Sequence, residues 1–108
     1  MNDAFQEELG ALVSAYVPSD SDPVLMNQIR AQWTSIIGSA RAVRLTSVDD
    51  YGPKLEARWE DAGGNIVGKM AVPPARAERL WEFADRWAEL MNGHGTPVRV
   101  LGTKSSES

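Results

Sequence analysis

The stretch that decides the fold is Pro73–Gly93, PPARAERLWEFADRWAELMNG. Leu80, Trp81, Ala84, Trp87, Ala88 and Met91 recur there at three- and four-residue spacing, which puts them on one helical face. Glu78, Glu82, Arg86 and Glu89 mark the opposite, wet face, with Glu82 and Arg86 in the favourable i,i+4 order. Pro74 stands where a first-turn proline is tolerated, because its missing N–H would have no partner anyway. Asn92-Gly93 is expected to end the helix with a left-handed residue. A helix over 74–91 with two tryptophans and a methionine on one stripe is half of a core. It needs other elements to cover it.

Immediately upstream the period changes from 3.6 to 2. Leu55, Ala57 and Trp59 alternate with Lys54, Glu56, Arg58 and Glu60, the clearest half-buried strand in the chain. Asp61-Ala62-Gly63-Gly64-Asn65 is hairpin-loop chemistry, and Ile66, Gly68, Met70 and Val72 continue on one face of the returning strand. Before them, Val43 and Leu45 alternate with Arg44 and Thr46, and Asp49 to Pro53 form a turn cluster. Loops this short impose an antiparallel meander. Downstream, Pro97 to Leu101 reads as a short final strand, confined by Pro97 to an edge or a strand start. The polar tail Thr103 to Ser108 carries no folding signal and is expected to be disordered.

Two helices precede the strands. Phe5, Leu9, Leu12, Val13 and Tyr16 share a face, with Asp3 as the expected cap and Val17-Pro18 as the close. Asp22-Pro23 starts the next helix, whose stripe is Leu25, Met26, Ile29, Trp33, Ile36 and Ile37 and whose expected end is Gly38. The fold class is therefore α+β in the order ααβββαβ. Residues 1–102 form one domain, with helices covering one face of a small, mostly antiparallel sheet.

At 108 residues the chain has no cysteine, which excludes a disulfide scaffold, a thiolate metal site and a cysteine nucleophile. No long apolar run or signal-peptide pattern is present, so a cytoplasmic location is the expectation. The formal charge is −4 and unevenly placed. Asp3, Glu7, Glu8, Asp20 and Asp22 stand in the first 22 residues without a single base. That bias disfavours nucleic acid and anionic membrane and fits a basic protein partner, although a solvated helix face also explains it.

Catalytic groupings are missing. His94 is the only histidine and lies between two glycines, so no His-His or His-Cys metal set exists. Asp49 and Asp50 are adjacent, and in an extended segment they diverge rather than converge on one atom. No phosphate-binding glycine loop or nucleophile elbow is present. Neither an enzyme nor a cofactor is expected. The candidate partner-binding residues are Trp59, Tyr51, Asp49 and Asp50, with Glu7, Glu8 and Asp20 steering the encounter. Trp59 has two alternatives: part of the core, or, on an uncovered face, the binding anchor.

From Trp33 onward the layout resembles the small YezG-type immunity proteins, which bacteria make to neutralise a cognate toxin. The resemblance lies in Trp33 followed by a first strand over Ala42 to Val48, then Trp59-Glu60-Asp61 running into Gly63-Gly64. Pro73-Pro74, the long amphipathic helix and a short last strand follow. A second full helix before the sheet and a tryptophan-free last strand depart from it. The resemblance implies an inhibitor that binds a partner protein such as a basic toxin, with no catalytic residues. Two alternatives are a secretion-chaperone-like homodimer, holding a client segment along an exposed edge such as 97–101, and a non-catalytic subunit of a larger assembly.

Overall fold

The computed structural model describes residues 3–16, 22–49 and 51–102. Asp22 caps the second helix as its sequence predicts, accepting hydrogen bonds from the N–H groups of Val24 (3.0 Å) and Leu25 (3.4 Å). The elements run α1 (Asp3–Tyr16), α2 (Pro23–Ser39), β1 (Ala42–Asp49), β2 (Pro53–Glu60), β3 (Ile66–Val72), a single 3-10 turn (Pro74–Arg76), α3 (Ala77–Gly93) and β4 (Arg99–Leu101). This is the order ααβββαβ.

The four strands lie in the order β3-β2-β1-β4. β1 to β3 form the antiparallel meander, and β4 pairs with β1 in parallel, Val100 opposite Val43. β3 and β4 are thus the two edges. Alternation sends Val43, Leu45, Leu55, Ala57 and Trp59 to the face that the helices cover, and all five are buried. α2 contacts β3, α3 contacts β2 and β4, and α1 packs on both α2 and α3.

Trp59 is the centre of this core and is wholly buried. The rings of Trp33, Phe83 and Trp87 meet it edge-on, at centroid distances of 6.4, 5.4 and 4.9 Å. Such tilted aromatic pairs each add about 0.5–1.5 kcal/mol beyond their area burial. Phe83, which lies between Glu82 and Ala84, completes the stripe of α3 alongside Leu80, Trp81, Ala84, Trp87 and Met91.

Local departures from the sequence expectations have physical causes. The register shifts between Trp59 and Glu60, where Gly68 and Ile66 are the successive partners. That bulge turns Ile66 out of the inward row and leaves it half exposed. α2 continues through Gly38 to Ser39 and ends when the N–H of Ala40 bonds to the oxygen of Ile36. α3 runs through Asn92-Gly93, and the left-handed residue is Gly95, at φ 83°. The N–H groups of Gly95 and Thr96 return to the oxygens of Asn92 and Met91, the paired closing bonds of a Schellman motif. Leu25 of the α2 stripe stays exposed at 41%. The helix-closing Val17-Pro18, Asp20, Asp50 and the tail from Thr103 lie outside the described residues, as does the side chain of the expected cap, Asp3.

Candidate functional site

Burial settles between the two alternatives for Trp59. It belongs to the core, and a side chain with no exposed surface is no anchor for a partner. Tyr51 is the reverse case: fully exposed, at φ 58°, in the turn between β1 and β2. Asp49 is exposed at the end of β1 beside it. Glu7 and Glu8 are exposed on α1.

These residues do not form one patch. The β1–β2 end of the sheet lies against the start of α3, where Pro53, Lys54, Pro74 and Glu78 line one depression. Glu8 lies at the other end of α3, its Oε1 3.5 Å from Nε2 of His94. The 17 residues of α3 separate the two groups by about 25 Å at 1.5 Å per residue.

What joins them is the solvent face of α3 itself. Glu78, Glu82, Asp85 and Glu89 are all exposed and follow one another at spacings of four, three and four. At 3.6 residues per turn they fall within an arc of about 60°. Asp85 is the member that the sequence pattern did not single out. Its signal was available in that same spacing. Arg86 pairs with Glu82 at 3.7 Å on the flank of the stripe.

Beside the stripe, α1 and α3 enclose a shallow groove. Its floor is apolar, from Ala11, Leu12, Ala15, Tyr16 and Leu90, and its rim is charged, from Glu8, Arg86, Glu89 and His94. Arg79 closes one end. Its guanidinium lies 4.8 Å from the centre of the Tyr16 ring and donates to the oxygen of Ala15 at 2.6 Å. Tyr16 in turn stacks on Phe83 at 5.5 Å, which ties the groove floor to the core. At the other end the ring of Phe5 packs 4.6 Å from that of His94. The flanking glycines therefore do not leave His94 loose, because α1 positions it.

The opposite side of the molecule has the other sign. The open face of the sheet carries Arg44, Lys54, Arg58, Lys69 and Arg99 against Glu56 and Glu60. The chain is thus polarised between an acidic helical side and a basic sheet. This separation is invisible in a charge count along the sequence. Among the described residues no group of three or more acidic or histidine side chains is placed to hold a metal ion. No helix among them is long and apolar enough to cross a membrane.

No family model matches the chain. No solved structure matches it. Over 63 residues, 58% of its length, it is 32% identical to an alpha-L-rhamnosidase of Streptomyces avermitilis, and it spans 6% of that enzyme's length.

Proposed function

We propose that this chain is a protein-binding domain that neutralises a basic partner protein, with the α1–α3 groove and the carboxylate stripe of α3 as its binding surface. The observation that carries the reading is the continuity of that surface. Glu78, Glu82, Asp85 and Glu89 run the length of α3, and the last of them, Glu89, borders the same apolar groove as Glu8. The apolar floor, with the carboxylates of Glu8 and Glu89 at its rim and the stripe beyond, suits a basic amphipathic segment, whose apolar side fills the groove while its cations meet the carboxylates. The resemblance to YezG-type immunity proteins supports an inhibitory outcome, in which the bound domain blocks the partner's working surface. Binding alone accounts for such an activity. No reaction step is needed.

The test is to express the tagged chain in its native host and identify co-purifying proteins by mass spectrometry. The expected result is one stoichiometric basic partner whose activity falls when purified chain is added. The triple reversal Glu82→Lys, Asp85→Lys, Glu89→Lys should keep its circular dichroism and lose that partner. Recovery of the chain alone, or a partner retained by the triple variant, overturns the reading.

A second reading, the homodimeric chaperone, draws on β3. That edge strand is seven residues long, contains no proline and carries Lys69 as its one charge, so little obstructs pairing along it. β4, the edge indicated by the sequence, offers three residues. Light scattering separates the readings: a tight dimer that takes up unfolded segments favours the chaperone.

A further inference from the structure

The open face of the sheet has a feature that folding does not require. Arg44 stands directly opposite Arg58 across β1 and β2, and Arg58 directly opposite Lys69 across β2 and β3. Three like charges in one cross-strand row destabilise a sheet. Two glutamates of the same face relieve it in part. Glu60 lies 3.7 Å from Arg44, and Glu56 lies 2.7 Å from Arg58. Both pairs are made through Nε, and each guanidinium has two further nitrogens that donate. Lys69 has no ion pair among the described residues.

Exposure shows which sign faces outward. The side chains of Arg44 and Arg58 are 49% and 42% exposed, whereas those of Glu60 and Glu56 are each 19% exposed. The carboxylates lie low and orient the guanidiniums, and the cations stand outermost. Among the strand residues none puts an aromatic ring on this face, since Trp59 points to the helices, so bases would find no stacking platform within the row. The chemistry that matches the row is a set of carboxylates on an extended backbone, where Arg can bind bidentately.

We propose that the open sheet face binds an acidic, extended segment of a partner protein through Arg44, Arg58 and Lys69. This site is separate from the α1–α3 groove and opposite to it in charge. Its occupant is therefore also opposite in charge to the basic partner of the helical side. The row of like charges persists because the segment neutralises it.

The experiment is fluorescence anisotropy of the full chain with a labelled peptide of alternating glutamate and serine. A lysine–serine peptide and a single-stranded oligothymidylate of equal length serve as comparisons. The expected result is salt-sensitive binding of the glutamate peptide alone. It should weaken by about tenfold in Arg44→Thr/Lys69→Thr, the scale of two exposed ion pairs. The same variant should melt at or above the wild-type temperature, because the like-charge row is broken. If it does not fold, Lys69→Gln alone should weaken binding about threefold. Arg76→Gln, at an exposed position of the 3-10 turn outside both surfaces, should leave the peptide affinity unchanged. No binding by wild type, unchanged binding by the sheet variants, or tighter binding of the oligonucleotide overturns the proposal.

Discussion

The indole Nε1 of Trp87 donates to the backbone oxygen of Ile37 at 2.7 Å, in a buried bond that ties α3 to the last turn of α2. Ile37 needs that donor. The N–H of Arg41, which would continue the helix to it, goes instead to the oxygen of Glu60. Trp87→Phe therefore removes ring volume and strands a buried carbonyl. It should cost about 2–4 kcal/mol and lower the melting temperature by about 10–20 °C. Trp59 makes the contrast, because its buried Nε1 has no hydrogen-bond partner among the described residues. Trp59→Phe deletes an orphaned donor along with the volume and should cost about 1–2 kcal/mol. Denaturant melts of the two variants decide it. Equal losses, or a larger loss at Trp59, would refute this account of the core.

Gly68 and Ile36 form a second test. A Cβ built on Gly68 would lie 2.8 Å from Cγ2 of Ile36, so α2 can approach β3 only over a glycine. Gly68→Ala should destabilise by about 1–2 kcal/mol, the overpacking cost less the gain in chain entropy. Adding Ile36→Ala should then cost less than it does in wild type, with a coupling of about 1 kcal/mol in the double-mutant cycle. Strict additivity would show that the close approach carries no strain.

Asp61 organises the β2–β3 loop. Its Oδ1 accepts from the N–H groups of Gly63 and Asn65, both at 2.9 Å. The backbone hydrogen bond from Asn65, followed by that from Gly63, holds its pKa below the usual carboxylate value despite some desolvation. A folded pKa below the unfolded one means stability that is present above the unfolded value and lost as pH falls through the folded value. Melting curves from pH 7 down to pH 2 should show wild type losing more stability than Asp61→Asn. Parallel curves would remove the loop from the acid response.

Tyr51 holds a left-handed backbone conformation with its side chain in solvent. Tyr51→Gly relieves about 1 kcal/mol of backbone strain and costs about as much in unfolded-chain entropy. Stability should stay within about 0.5 kcal/mol of wild type. Any loss of partner capture by this variant then reports a contact made by the ring, and unchanged capture removes Tyr51 from the binding surface.

Steering by the acidic side can be read in rates. Glu7→Lys/Glu8→Lys should slow association with the basic partner at low salt, and the difference should shrink as ionic strength rises. Stopped-flow association at two salt concentrations measures it. Identical rates at low salt would assign those residues to a solvated helix face and nothing more.

The architecture was legible in the sequence because both of its periods were strong. The stripe around Trp81 and Trp87 and the alternation around Trp59 admit no other arrangement of helix and strand. Termini were less legible. A glycine can continue a helix, as Gly38 and Gly93 do, when the closing bonds fall one or two residues later. The bulge at Trp59/Glu60 was hidden because one extra residue changes neither composition nor turn chemistry, yet it turns Ile66 outward. The surface was least legible of all. Glu8 meets His94, and Arg44 meets Arg58, only once the chain has folded. Charge segregation of that kind is a property of faces, and a linear sequence has none.

The parallel pairing of β4 also sets an order of completion. β1, β2 and β3 can zip together as each leaves the ribosome, but the outer side of β1 must wait until α3 and Leu101 have followed. Throughout that interval β1 is a bare template beside an unfinished core, and its eventual cover is three residues long. The last strand is accordingly the element whose amide protons should exchange first in the finished sheet, and its release would reopen β1 without disturbing the meander.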